Sequence, residues 1–399
     1  MCLLFSLKKD DLCKNHRKIT KNFCTIQKNV VLLQIFNKNS MQTFYRSILV
    51  AFLLLCTAPF TFAENDAMIL RCVAFYNLEN VFDTIHDEGK NDYEYLPDGG
   101  MKWTSFKYEQ KLQNMAYAIA QLGTDEDPRG AACVGVSEVE NIGCLHDLCK
   151  VLKEKHNRMY EPILLEGPDR RGVDVGFLYN PNMFKPVSVK GYELHAHYAD
   201  GGEVKSRLQL WISGYMLDDE RKIVRDKLHI SVHHWPSRYG GEESSRATRD
   251  TAAMLCKQVC DSIYMREPNA KIIVMGDLND DPFNNSCAVV MGAKKTREEV
   301  DPQGFFNTMW QKLDRGIGSL AYQGSWNLFD QIFISEPLMN AKVEDEKWVY
   351  WKSQIFNKPF LTVQEGKDKG TPFRTVKSGV WQNGYADHYP TMIYLIKKK

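Results

Sequence analysis

The stretch Lys271–Pro282, KIIVMGDLNDDP, decides how this chain is read. Lys271 to Met275 is a short, mostly apolar run with the length of a buried strand. Asp277 and Asn279 follow it directly. Asp and Asn favour turns, and loops at strand ends are where a rigid scaffold presents reactive groups. One such strand end is an ordinary turn. It gains meaning because the pattern repeats along the chain.

Outward from that stretch, Ile69–Tyr76 reads as a strand followed by Asn77 and Glu79. Ala131–Ser137 is a buried strand followed by Glu138, and Leu228–His234 closes on His233 and His234. Asp330 sits inside the strand-like run 329–334, and Asp387-His388 precede the strand at 391–396. A buried, unpaired Asp is costly, so Asp330 demands a partner. Further strands are expected at 173–179 and 207–215. Residues 105–122 place Phe106, Leu112, Met115, Ile119 and Leu122 at helical spacing, and 144–155 and 245–264 are also helical. Several strands follow one another without a helix between them. Strict βαβ alternation therefore fails, which points to mixed sheets covered by helices. The segments 84–104 and 338–383 carry the least pattern and read as surface insertions, which in compact domains are often functional.

Composition sets the class. The 399 residues are 44% hydrophobic, with Lys+Arg 51 against Asp+Glu 50, which is ordinary globular usage. The balance is uneven, because 1–63 holds nine Lys/Arg and two acids, leaving 64–399 at net −6. Such a body lacks the global positive field of a non-specific nucleic-acid coat, although a local basic groove is compatible with it. Met41–Ala63 has Arg46, an apolar run Ile48–Cys56, Pro59, and Thr61 and Ala63 at −3 and −1 of a cut before Glu64. That is a secretory signal pattern, and the run is short for a membrane span. Residues 1–40 are expected to be an upstream extension from an early start assignment, with Met41 the working start. The expectation is an exported protein, periplasmic or extracellular, with one domain over 66–399. Seven cysteines lie beyond residue 63, namely Cys72, Cys133, Cys144, Cys149, Cys256, Cys260 and Cys287. They read mostly as buried small hydrophobes, with one pair expected to be oxidised.

The polar residues at the strand ends comprise five carboxylates, two Asn and three His. Few Lys accompany them. That set suggests a hard divalent cation, which takes oxygen ligands, and a phosphate-type substrate.

Six motifs, FYNLENVFD (75–83), SEVEN (137–141), HHWPSR (233–238), GDLNDDP (276–282), WNLFDQIFIS (326–335) and ADHYP (386–390), resemble those of the endonuclease/exonuclease/phosphatase superfamily, in that family's order. The resemblance implies a four-layer α/β sandwich, with two mixed β-sheets packed face to face and helices outside. It implies that Glu138 is the main metal carboxylate, with Asn77 and Glu79 near the metal and Asp387 a further ligand or water anchor. Many members carry Asp where this chain has Glu79. It further implies that Asp277 and Asn279 orient or deprotonate the attacking water. His388 would contact the scissile phosphate, Asp330 would fix its tautomer, and His234 rather than His233 would meet the phosphate or leaving group. The cofactor implied is Mg²⁺, with Mn²⁺ or Ca²⁺ as alternatives. Arg207, Arg246 and Arg249 are candidate substrate contacts, and Arg170 and Arg171 are candidates for the mouth of the site.

The function expected is metal-dependent phosphoester hydrolysis by a monomer. A nuclease-type phosphodiesterase is favoured, with nucleic acid as partner. The alternatives are a phospholipid or small-phosphoester hydrolase and a non-catalytic binding protein. A lipid-active enzyme would need an exposed aromatic loop, for which Trp348, Tyr350 and Trp351 are the candidates.

Overall fold

The computed structural model describes residues 68–198 and 200–399. The 1–40 extension and the 41–63 signal segment lie outside the described residues. In chain order the first strands are β1 (Met68–Val81), β2 (Ala131–Val139), β3 (Glu161–Leu164), β4 (Asp174–Tyr179), β5 (Phe184–Tyr192) and β6 (Gln209–Leu217). There follow β7 (Ile223–His234), β8 (Lys271–Asp277), β9 (Ala293–Lys294), β10 (Phe305–Asn307), β11 (Leu320–Tyr322) and β12 (Ser325–Asn327). The last are β13 (Asp330–Ser335), β14 (Val349–Ile355), β15 (Val376–Lys377), β16 (Val380–Trp381) and β17 (Thr391–Lys398). Three long helices, α1 (Ser105–Ala120), α2 (Ile142–His156) and α3 (Glu242–Arg266), stand between strands.

One six-stranded sheet has the order β14-β17-β1-β2-β4-β3, and a seven-stranded sheet has the order β5-β6-β7-β8-β13-β10-β9. Each has a parallel pair near its centre, β1 with β2 and β7 with β8. A parallel pair needs a crossover, and α1 and α3 supply the two. Parallel strands also end at the same edge. This is why Asn77, Glu138, His234 and Asp277, each near the C-terminal end of its strand, gather on one side of the molecule.

The layers follow from which faces are apolar. Leu112, Met115 and Ile119 of α1 and Leu145, Leu148 and Leu152 of α2 are buried against the six-stranded sheet. Ala252, Cys256, Val259 and Ile263 of α3 cover Ile272, Val274, Phe305 and Phe333 on the far side of the seven-stranded sheet. The two sheets pack directly on each other. A Cβ on Gly135 of β2 would lie 2.6 Å from Met275 Cε and 3.0 Å from Val232 Cγ2, so the side chains of β7 and β8 pack directly over this strand. The result is the expected four-layer sandwich of two mixed sheets with helices outside.

Several details differ from the sequence reading. The 84–104 segment is not wholly superficial. Trp103 is buried with Phe82 and Val173, and its indole N–H donates to the Phe82 carbonyl at 2.8 Å. Strand β14 forms the edge of a sheet, with Trp348 and Tyr350 buried and Trp351 42% exposed. The Lys352 ammonium lies 4.1 Å from the Trp351 ring centre. The candidate membrane-touching run is therefore the start of an edge strand, with only Trp351 of its three aromatics exposed. All seven cysteines of the described residues are buried and free, so the expected oxidised pair is not present. Among the described residues, no helix is long and apolar enough to cross a membrane.

Candidate active site

Strand register builds one half of the site. His234 of β7 is the register partner of Asp277, and Asp277 is the partner of Asp330 across β8 and β13. Register partners project to one face, so the three side chains stand in a row. His233, one residue earlier, must project to the opposite face. There its ring meets Ser231 Oγ at 2.8 Å and the Trp235 indole N–H at 3.4 Å, deep under α3. The strands approach closely here, and a Cβ at Gly276 would sit 2.3 Å from the His233 carbonyl oxygen.

His388 completes the row. Its Nδ1 lies 2.6 Å from Asp330 Oδ2, which leaves Nε2 facing Asp277 Oδ2 and Asp387 Oδ1, each at 3.9 Å. Burial opposes a charge on this ring, but Asp330, Asp387 and Asp277 together outweigh it and hold its pKa well above 6.5. His234 lies 3.6 Å from Asp277 and 3.8 Å from Glu138, yet burial and the nearby Arg207, Arg171 and His388 push its pKa well below 6.5. Asp277 is pushed up to about 6, first by burial and also by Asp330, although His388 pulls it down. The buried Oδ1 of Asp330 and Nδ1 of His234 have no hydrogen-bond partner.

The six-stranded sheet supplies the other half. Asn77 Nδ2 donates to Asp277 Oδ2 at 3.0 Å, and its Oδ1 accepts from the Glu79 N–H at 2.9 Å. Glu138 Oε2 accepts from the Asn80 N–H at 3.1 Å. The β1–β2 register breaks between Asn77 and Val81, and such irregularities re-aim side chains. Glu79, Asn80, Glu138 and Asn279 all have positive φ, from 50° to 62°. A non-glycine residue held there stores roughly 1–3 kcal/mol, and such strain clusters at functional sites.

Glu79 and Asp387, both expected near the metal, share one cation absent from the sequence reading. Arg374 donates from Nε to Glu79 Oε1 and from Nη2 to Asp387 Oδ2, each at 3.0 Å. The Thr375 N–H donates to Glu79 Oε2 at 2.6 Å. Buried Lys111 of α1 binds Thr375 Oγ1 and the Tyr385 carbonyl. Burial and Asp387 raise Glu79 to about 7, against the cations and the Thr375 N–H. Burial lowers Lys111 to about 8, partly offset by Glu79 and Asp387. The signal for Arg374 was only its place in the long, unpatterned 338–383 insertion.

The donor set fits a hard divalent cation, best at Glu138. Among the described residues that carboxylate has no Lys or Arg ion pair, and it faces the cleft. Glu79 and Asp387 are engaged by Arg374, and Asn77 by Asp277 and Glu79. Asp277, Asp330 and His388 place one ligand atom each within 4.8 Å of one another.

Glu138, His234, Asp277 and His388 line a cleft of about 530 Å³, which Asn279 also borders with its side chain donating to the Trp235 carbonyl at 3.0 Å. Arg170, Arg171, Lys205 and Arg207 line the same cleft, with Asp169 among them and Lys205 paired with Glu203 at 2.7 Å, and Tyr198 and the 86% exposed Tyr239 stand at its rim. Arg207 is buried, pairs with Asp169 at 3.1 Å and donates to the Trp235 carbonyl, while its Nε has no partner. Arg246 and Arg249 lie outside this lining. Arg249 is wholly buried against Asp280 at 2.7 Å, and Arg246 sits between Glu243 and Asp250. A shared helix face does not bring them to the site, because one neutralises a buried carboxylate and the other pairs along its own helix.

No curated protein sequence matches the chain. Among solved structures, an endonuclease/exonuclease/phosphatase family protein from Bacteroides thetaiotaomicron is 14% identical, with 84% of this chain and 100% of that one covered and a TM-score of 0.48. A mannosyl-6-phosphatase from the same organism is 14% identical over 82% of this chain and 99% of that one, with a TM-score of 0.46. Truncated Caenorhabditis elegans TDP2 is 15% identical over 82% and 97%, with a TM-score of 0.44. The Endonuclease/Exonuclease/phosphatase family model matches residues 72–397, nearly all of the described chain, and the protein belongs to that family.

Proposed function

We propose that this protein is a divalent-metal-dependent phosphodiesterase of nuclease type. Members of the family are generally phosphoester hydrolases. The observation that carries the reading is the His388–Asp330 pair at 2.6 Å, with His388 and Asp277 lining a cleft that Arg170, Arg171, Lys205 and Arg207 also line. Asp330 fixes the proton on Nδ1 and orients Nε2–H toward the cleft, where a cationic ring stabilises charge gathering on phosphate oxygens. Asp277, held by Asn77 and the Asn279 N–H, accepts a proton from the attacking water, its raised pKa suiting it to a base near neutrality. Neutral His234 contacts a phosphate oxygen from the opposite side. Glu138 would hold Mg²⁺, or alternatively Mn²⁺ or Ca²⁺, which supplies Lewis-acid polarisation of the phosphoryl oxygen when bound. Arg171, Lys205 and Arg207 and the rim tyrosines suit a polyanion with planar bases.

Nicking of supercoiled plasmid tests this. The expected result is nicking with Mg²⁺, none with chelator, and a loss of about 10²–10⁴-fold for His388→Ala. Folded protein that binds Mg²⁺ and leaves plasmid intact would overturn the nuclease reading. The 41–63 segment supports export to the periplasm or beyond, and a recovered N-terminus at Glu64 would test that. We propose further that it acts as a monomer, which the sedimentation coefficient of the purified protein decides.

A further inference from the structure

Helix α1 covers the six-stranded sheet with Leu112, Met115 and Ile119, yet two of its polar side chains turn elsewhere. Lys111 and Asn114 are three residues apart and so share a helix face. Lys111 is wholly buried. Its ammonium donates to Thr375 Oγ1 and, at 2.6 Å, to the Tyr385 carbonyl. Asn114 Nδ2 donates to the Gly384 carbonyl at 2.8 Å, with the Asn383 carbonyl at 3.1 Å and Oδ1 at 3.2 Å. Both side chains therefore grip one segment, 383–385, which ends three residues before His388.

A buried ammonium is costly unless its donors are used, and an apolar side chain would cover a sheet without that cost. What Lys111 gains is a tie between two stretches of chain. The segment it holds is also bonded to itself. The Gln382 N–H donates to the Thr375 carbonyl at 2.8 Å, the Tyr385 N–H to the Phe373 carbonyl at 2.6 Å, and Thr375 Oγ1 to the Tyr385 carbonyl at 2.6 Å. One stretch carries Arg374 and Thr375, which bind Glu79. The other leads to Asp387 and His388. On the far side of His388, the Tyr389 N–H donates to the Ser319 carbonyl at 2.7 Å.

We propose that Lys111 and Asn114 are positioning residues for His388, holding the backbone from which its ring reaches the cleft. The proposal rests on the hydrolase reading above, in which His388 meets the phosphate. Asp330 fixes one ring nitrogen, and the ring's place then depends on where the backbone stands. Ser319 anchors that backbone on one side and α1 on the other. Lys111 does not line the cleft, so it acts through 383–385 and not on substrate. A misplacement of about 1 Å at a reacting group can cost about 10²-fold in rate.

The test compares Lys111→Met and Asn114→Ala with Met115→Ala, a core change on the same helix that leaves both ties intact. Turnover of bis(p-nitrophenyl) phosphate with Mg²⁺ should show kcat lower by about 10–100-fold in Lys111→Met and by about fivefold in Asn114→Ala, with KM little changed. Met115→Ala should lose stability to urea and keep the wild-type kcat. The ¹⁵N ring signals of His388 should move in the first two variants and stay in place in Met115→Ala. Wild-type kcat and His388 signals in both Lys111→Met and Asn114→Ala would overturn the proposal. So would an equal loss of kcat in Met115→Ala, because activity would then follow stability alone. If Lys111→Met does not fold, Asn114→Ala against Met115→Ala decides. Failure of the hydrolase reading shows separately, as wild-type protein that turns over no phosphoester with Mg²⁺, and the His388 signals still test the positioning.

Discussion

The two central parallel strand pairs, β1–β2 and β7–β8, end at the same edge of the molecule but are held there differently. At the end of β7–β8, the groups are set by strand register, with His234, Asp277 and Asp330 side by side and His388 added from the residues before β17. At the end of β1–β2, the register breaks, and Glu79, Asn80 and Glu138 adopt left-handed backbone. Glu79 is then secured by Arg374, almost 300 residues away in the chain. Regular pairing presents a row of groups cheaply. Irregular backbone aims Glu138 into the cleft with no Lys or Arg beside it, and turns Glu79 onto the Arg374 clamp.

The comparison can be broken most decisively at the register-built half. Asp330→Asn should keep the fold but remove the charge that fixes the His388 proton, lowering kcat by about 10²–10⁴ with little change in KM. Equal kcat in variant and wild type would show that the row is architectural only.

The clamp is the next largest effect, and it should appear first as stability. Arg374→Ala leaves Glu79, 5% exposed, with the Thr375 N–H and no guanidinium. Urea unfolding should show a loss of about 2 kcal/mol, below the 3–5 of a fully buried pair because Arg374 is 43% exposed. Arg374→Lys should recover only part, because an ammonium cannot reproduce the fork. A variant as stable as wild type would mean that Glu79 needs no clamp.

Two buried histidines give a smaller, pH-dependent contrast. Burial pushes His233 down to about 3 in the fold, against about 6.5 unfolded. The unfolded chain binds the extra proton, so the contribution of His233 is present above pH 6.5 and is lost as pH falls toward 3. His388 runs the other way, since its folded pKa is raised and its contribution is lost as pH rises through that value. His233→Asn should therefore flatten the fall in stability below pH 6.5, by at most about 1.4 kcal/mol per pH unit. An unchanged slope would place the acid sensitivity elsewhere.

The smallest effect is expected at the edge strand. Trp351→Ala on β14 should change stability by no more than about 0.5–1 kcal/mol, the scale of its exposed contact with Lys352. It should also leave vesicle association unchanged. Vesicle binding that depends on Trp351 would revive a lipid substrate.

Most of the fold was legible because strands buried on both faces are near-continuous apolar runs, as in β1, β2 and β8. Strand β5 was not legible, because most of its residues are exposed at a sheet edge and carry no run. In the site, Asp277, Asp330 and His388 stood out because polar residues interrupt or end apolar runs. Arg374 and Lys111 did not, since a cation in a loop or on a helix looks like a solvated charge until its long-range partner is known. Arg249 misled for the same reason, its partner Asp280 lying on another element.

The charge state of His388 is the most direct measurement. A ¹⁵N-edited NMR titration of the histidine rings, in wild type and in Asp330→Asn, reads it at the atom concerned. The account predicts a His388 ring still protonated at pH 7 in wild type, with Nδ1 carrying the proton shared with Asp330, and a pKa that falls in Asp330→Asn while His233 stays neutral. A His388 ring already neutral at pH 6.5, or one indifferent to Asp330, would contradict it.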